Sequence, residues 1–340
     1  MSRNLRLEPG AFAGGLHEVA PRTFAWLQPN GGLGEANAGL VVADGAAAVI
    51  DTLWDQRLAR EMLAEMEAPT ADAPVALAIN THSDGDHWWG NAELPAAAEI
   101  VTSAASLRAM RAELPPAALA RMSALARRAG VLPGRVGAMG RYIGARLAPF
   151  DFGEIELRFP DRAFSGRRVE AAGGRRLELI EVGPAHTAGD LIVSVPDVGV
   201  VFAADVLFVG VTPVMWHGPV ENWIAALDTL LGLEAEVYVP GHGPLAGREE
   251  VVAMRDYWSW VDAAVAEHHA KGRSARETSR RMIRDGEFAR FRSWLDPERL
   301  LISVTTAHRA RSGRGPLAPT PLNRARIFDG VAALKPEIGS

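Results

Sequence analysis

The chain has 340 residues, enough for one large α/β domain with extra helices or for two small domains. Its 48% hydrophobic and 23% charged residues are those of a soluble globular protein, and a formal net charge of −5 leaves no electrostatic footprint for nucleic acid or an anionic membrane. With no cysteine, disulfides, thiolate zinc sites and cysteine nucleophiles are excluded, so any metal site must use imidazole and carboxylate.

Met1 to Pro9 carries charges but no apolar core of secretory-signal length, and no apolar run approaches the ~20 residues of a bilayer span. A cytoplasmic protein without a membrane partner is expected. Thr23 to Leu27 and Gly39 to Val42 read as strands around the turn-rich loop Gln28 to Asn37. Ala46 to Ile50 is a further apolar strand ending at Asp51, and Arg57 to Met66 sets Leu58, Met62, Leu63 and Met66 at helical spacing. Pro74 to Ile79 then runs into Asn80-Thr-His-Ser-Asp-Gly-Asp-His-Trp-Trp-Gly-Asn91. Four side chains that bind metals well, His82, Asp84, Asp86 and His87, fall within six residues of this stretch. A short loop on a rigid strand end delivers such ligands to one point, and the residues after it can start a helix.

Ser103 to Gly144 reads as helices, Ala104 to Glu113 and Ala117 to Ala129, broken at Pro115-Pro116, with a third at Arg135 to Leu147. Met110, Met122 and Met139 suit packing, or a pocket wall where flexible thioethers adapt to an apolar substrate. Glu154 to Val182 reads as alternating strands with turns at Ser165-Gly166 and Gly173-Gly174. Leu191 to Val195 and Val198 to Ala203 form an expected hairpin, Ile224 to Leu231 a helix, and Val237 to Val239 a short strand. Three isolated candidates each follow an apolar strand: His186 in Gly183-Pro-Ala-His-Thr-Ala-Gly-Asp190, Asp205 in Phe202-Ala-Ala-Asp-Val-Leu207, and His242 in Pro240-Gly-His-Gly-Pro244. From Glu249 the chain is helical, with a stripe of Tyr257, Trp258, Trp260 and Val261, continuing through Phe288 to Trp294 and Pro297 to Arg311. A last short helix is expected at Asn323 to Leu334. His268 and His269 read as surface residues, and His308 as a candidate for a pocket-lining helix.

These four motifs, in this order, resemble the metallo-β-lactamase superfamily from about Phe24 to Pro244. The resemblance implies an α/β fold, the αββα sandwich. The metal-binding domain would span residues 1–248, with a helical insertion at about 103–150, and residues 249–340 would form a C-terminal helical extension packed on it. It also implies two divalent metal ions, zinc or else iron or manganese. His82, Asp84 and His186 would hold one, Asp86, His87 and His242 the second, and Asp205 would bridge them, with the loop at 28–37 overhanging. Two cations sharing a water lower its pKa and polarise a substrate oxygen. The implied function is a binuclear hydrolase, acting through a metal-bridging hydroxide on an ester, thioester or lactone. Its expected partner is a fairly large apolar small molecule, or a carrier-bound acyl group as in bacterial secondary metabolism, and not nucleic acid.

One position departs from the family pattern. The first motif usually reads His-x-His-x-Asp-His, and here Asp84 replaces the second His. An extra anion and a hard oxygen ligand suit iron or manganese better than zinc. A di-iron oxygenase is therefore the alternative, because certain assembly-line β-hydroxylases of this fold are similar in carrying an acidic residue there. A non-catalytic metal-binding module is a second. The catalytic candidates are Asp86 and His217, the latter as a proton donor from the segment Thr212 to Gly218, with a supporting role for His217 as the competing reading. Asp51 is expected to accept the free N–H of a ligating imidazole. Of Trp88 and Trp89, one is expected in the core and the other at the cleft. The C-terminal helices could pair two subunits as a homodimer.

Overall fold

Strands that are apolar on both faces must lie between two covers, and this chain has several. In the computed structural model, which describes residues 14–29, 31–284 and 286–338, they form two sheets. The Met1 to Pro9 stretch and Asn30 of the 28–37 loop lie outside the described residues. The first sheet runs in chain order: β1 (Gly15–Ala20), β2 (Thr23–Leu27), β3 (Ala38–Ala43), β4 (Ala46–Ile50), β5 (Val75–Ile79), β6 (Glu99–Ser103) and β7 (Arg162–Phe164). Its first four strands pair antiparallel and the rest parallel, with α1 (Gln56–Met66) crossing from β4 to β5. The second sheet holds β8 (Arg167–Ala172), β9 (Arg175–Glu181), β10 (Leu191–Val195), β11 (Val200–Phe208) and β12 (Val237–His242), with β11 and β12 parallel.

The period of two along each strand decides the layers. Val41, Ile50, Leu77 and Ile79 meet Leu179, Val193, Val200 and Phe202 between the sheets. Their neighbours Leu40, Val42, Val49 and Ala78 point the other way, onto Met62 and Met66 of α1. Val201 and Ala203 face outward from the second sheet, towards Trp223 of α5 (Val220–Gly232) and Trp258 of α6 (Arg248–Ala270). The order is helix, sheet, sheet, helix. The expected αββα sandwich is present.

The insertion consists of α2 (Ala104–Ala112), α3 (Pro116–Ala129) and α4 (Gly134–Leu147). Beyond α6 follow α7 (Ala275–Met282), α8 (Leu300–Arg311) and α9 (Pro321–Ile338). Leu147 of the insertion and Leu300 and Val331 of the extension share one buried core with Trp223. Among the described residues no helix is long and apolar enough to cross a membrane.

Several local expectations are corrected. Two 3-10 turns, Gly85–His87 and Trp89–Glu93, follow the metal-ligand loop where an α-helix was expected. Gly90 is pressed against α1 and its entry: a Cβ there would fall 1.9 Å from the Thr52 carbonyl oxygen and 2.6 Å from Ala59 Cβ. Residues 154–161 form no strand, because their backbone is bound by side chains instead: Gln56 donates to Glu156 O and Asn91 to Arg158 O. β11 does not stop at Ala203 but runs on through Asp205 to Phe208. Phe288 to Trp294 is not α-helical: a 3-10 turn at Gly286–Arg290 takes its first three residues, turns and a bend the rest, and α9 is longer than the helix expected at Asn323 to Leu334. His308 does not line a pocket: its Nε2 meets Thr278 Oγ1 at 2.9 Å and ties α8 to α7. His268 and His269 lie at the surface as expected, partly exposed and held by Arg273 and Ser312. The start of α7, which sequence reasoning did not find, carries a capping box between Ser274 and Glu277.

Gly90→Ala is expected to destabilise the fold by about 1–3 kcal/mol through this overpacking. A denaturant midpoint equal to wild type would contradict the packing described.

Candidate metal centre

The first cluster hangs on the end of β5. Asp51, at the end of β4 with φ +62°, turns its carboxylate to the start of the loop, accepting from Thr81 N at 2.8 Å and from Thr81 Oγ1 at 2.7 Å. The same carboxylate lies 2.8 Å from His87 Nδ1, as expected for it. Because the Thr81 hydroxyl proton is committed to Asp51, its oxygen is left to accept from His82 Nδ1 at 3.0 Å. His186 Nδ1 donates to the Val214 carbonyl. Three imidazoles thus carry their proton on Nδ1 and turn an Nε2 lone pair to a common point.

The second sheet supplies the rest. Asp190 closes the turn that carries His186, accepting from Ala185 N and from Thr187 N at 3.0 Å each. Asp205 projects where the β11 register shifts and Ala204 takes φ +46°, a local irregularity that re-aims the side chain. Gly241 makes room for it, since a Cβ at that position would lie 1.8 Å from Asp205 Oδ1. His242 ends β12, and Asn37 pins the surrounding loop by donating to Pro240 O and Gly243 O at 2.9 and 2.8 Å.

All seven sequence-derived ligand candidates come together. His82, Asp84 and His186 form one set and Asp86, His87 and His242 another, the ligand atoms of each set lying within 4.8 Å of one another. Asp205 reaches both: its Oδ1 is 3.1 Å from His87 Nε2, and its Oδ2 is 3.2 Å from His186 Nε2 and 3.5 Å from His242 Nε2. His82 Nε2, His87 Nε2 and Asp205 Oδ1 are buried with no hydrogen-bond partner. Buried polar atoms left without partners and converging on one point make a candidate donor set that could hold a cation.

Burial opposes charge on each of these groups, and at Asp205, His87 and His186 the attraction of opposite charges outweighs it. Asp205 is held well below the usual carboxylate range by His242, His87 and His186, while Asp205 and Asp51 hold His87 well above the usual imidazole range. His186 is pushed up to about 9 by Asp205 and Asp84. Burial and the neighbouring His87 keep His82 low, and burial raises Asp86.

Asp84 is held apart from the others by its second partner. Its Oδ2 lies 3.1 Å from His186 Nε2 and accepts from Trp216 Nε1 at 3.1 Å. Arg324 of α9 stacks 3.7 Å over the Trp216 ring and pairs with Glu113 at 3.3 Å.

Asp84, Asp86, His186, Asp205 and His242 line one side of a cavity of about 830 Å³, its open mouth included. Trp54, Trp89, Leu119, Met122, Trp216 and Phe328 form much of its wall, with Leu33 from the 28–37 loop. Trp89 faces the cavity, while Trp88 is buried and donates to Ser83 O. The insertion therefore walls the site through Leu119 and Met122, whereas Met110 is in the core. His217 is not among the lining residues; its backbone N–H donates to His186 O at 3.1 Å. Arg299, Arg324 and Glu113 also line the cavity and were not found from sequence, since nothing local marks them.

A family model described as the metallo-beta-lactamase superfamily matches residues 31–242. The 2,4-dinitroanisole O-demethylase subunit alpha of Nocardioides sp. (strain JS1661) is 27% identical over 225 residues, 64% of this chain and 56% of that protein. The stereoselective inverting sec-alkylsulfatase of Pseudomonas sp. is similar in structure with a TM-score of 0.67, at 17% identity over 92% of this chain and 52% of the other. A metallo-beta-lactamase family protein of Thermus thermophilus gives 0.57 at 20% identity, over 87% and 95%. The chain thus spans only about half the length of the first two.

Asp51→Ala is expected to weaken metal binding about 10–100-fold by freeing the His87 ring, read by competition with a chelating dye. Because the His186 proton must leave, metal affinity should also fall as pH drops below about 9. An affinity unchanged in the variant would contradict the role given to Asp51.

Proposed function

Because the chain belongs to the metallo-beta-lactamase superfamily, we propose that it is a hydrolase that uses two divalent cations to cleave an ester, thioester or lactone of a fairly large apolar molecule. The observation that carries this reading is the pair of three-residue donor sets joined by Asp205 on one side of an apolar cavity. His82, Asp84 and His186 would hold one cation and Asp86, His87 and His242 the other. When bound, the two would supply a water of lowered pKa and a Lewis acid for the substrate oxygen.

The chain's own groups do the remainder. Trp54, Trp89, Trp216 and Phe328 bind an apolar or aromatic body and exclude water from the reacting bond. Asp86 lines the cavity and is the carboxylate placed to take up a proton as the bond is cleaved. His217 supports His186 through the backbone. Residues 1–248 form the catalytic unit in this reading, and the extension at 249–340 completes its wall through Arg299, Arg324 and Phe328. The partner is a small molecule or a carrier-bound acyl group. The relative named for demethylating 2,4-dinitroanisole, a flat aromatic ether, is in keeping with an aromatic-walled site.

Asp84 favours a second reading, a di-iron oxygenase. Three carboxylates among seven donors make a hard, anionic set, and Trp216 fixes Asp84 beside His186.

Metal-loaded protein turning over para-nitrophenyl esters in oxygen-18 water should place one heavy oxygen in the acid product, at equal rates with and without dioxygen. Turnover that stops without dioxygen would overturn hydrolysis in favour of the oxygenase. Asp84→His is expected to shift the bound metal towards zinc, measured by elemental analysis of protein grown without added metal. Unchanged metal selectivity would contradict the role given to Asp84.

A further inference from the structure

The cavity wall holds one charge that neither the metal-ligand cluster nor its supports use. Arg299 lies immediately before α8, lines the cavity and is 5% exposed. A guanidinium is charged at any working pH, so its burial is costly unless an anion meets it. None does among the described residues. The acids on either side of it in sequence are engaged elsewhere: Arg146 pairs with Asp296 and, at 3.0 Å, with Glu298, which Lys335 also approaches at 3.8 Å. Arg299 Nη1 is buried without a hydrogen-bond partner. Two phenols, Tyr142 and Tyr257, lie near it, and the Asp296, Glu298 and Arg146 group lies near the first of them. The other cation of the wall, Arg324, is already committed to Glu113 and to the face of Trp216.

We propose that Arg299 anchors an oxyanion carried by the substrate, a carboxylate or sulfo group on an apolar body lying in the same cavity as the metal-ligand cluster. The proposal deepens the hydrolase reading and rests on it for the identity of the cavity as the substrate site. The counter-charge that the fold withholds from Arg299 arrives with the ligand, and the planar fork of the guanidinium suits two oxygens of one group. Arg299 lies outside the residues matched by the superfamily model, so this preference belongs to the C-terminal extension and not to the shared core.

The test uses the metal-loaded full chain and three matched probes: phenylbutyrate, phenylpropanesulfonate and neutral phenylbutanol. Binding is followed by the fluorescence of the wall tryptophans. Wild type is expected to bind at least one of the two anions about tenfold or more tighter than the alcohol, the size of a charge-assisted pair. A preference for only one of the two anions identifies the group. Arg299→Met should lose the preference, and Arg299→Lys should keep part of it. Without ligand, the thermal midpoint of Arg299→Met should be no lower than wild type, because an unpaired buried charge has been removed. A preference that survives Arg299→Met places the anion on the metals and overturns the proposal. So does a wild type without preference, or a lowered midpoint with equal loss of all three probes, which marks a structural arginine. Protein that hydrolyses no ester yet shows the Arg299-dependent preference sinks the hydrolase reading alone.

Discussion

Three carboxylates within reach of one another, two of them buried and Asp84 half-buried, set the terms for the rest of this structure. Asp84, Asp86 and Asp205 would repel in a low-dielectric site, and four imidazoles crowd the same point, three of them with Nε2 lone pairs turned inward. Such a group is stable only when positive charge occupies it. The same demand shows in His87 and His186, both held above the usual imidazole range by the carboxylates around them. The supports around the cluster hold it in place against that repulsion. Asp51 fixes His87 and the start of the loop, Asp190 the His186 turn, and Gly241 leaves the space that Asp205 fills.

The fold converts this demand into geometry by meeting it from both sheets. The loop after β5 comes from one sheet, and the β9–β10 turn, the β11 irregularity and the end of β12 come from the other. No single segment could bring seven donors into two sets. Strand ends on packed sheets are rigid enough to do so, and the connections beyond them are free to vary. In this chain that freedom is spent on the insertion α2–α4 and the extension α6–α9, whose side chains wall the cavity and leave the donor sets untouched.

The layers and the donors were legible in the sequence because both are local signals. Apolar strands with polar caps fix the sheets, and each donor sits at a strand end or a strand irregularity in a short punctuated motif. Asp51 was legible for the same reason. What was not legible depends on distance along the chain. Arg324 meets Glu113 across 211 positions, and Arg299 borders the cavity from a segment with no motif around it. Adjacent residues on one loop were a further limit. Sequence singled out His217, and only the turn of the backbone sends the neighbouring Trp216 indole to Asp84 and leaves the imidazole outside the lining. The two 3-10 turns after the donor loop reflect a tight approach of Gly90 to Thr52, a contact that helical periodicity does not encode.

The central claim is that two cations occupy this cluster, one in each donor set. An anomalous difference map from crystals of metal-loaded protein, collected at the absorption edge of the metal found by elemental analysis, addresses it directly. The account predicts two peaks: one among His82, Asp84 and His186, the other among Asp86, His87 and His242, with Asp205 in contact with both. A single peak, no peak, or metal bound away from these side chains would contradict it.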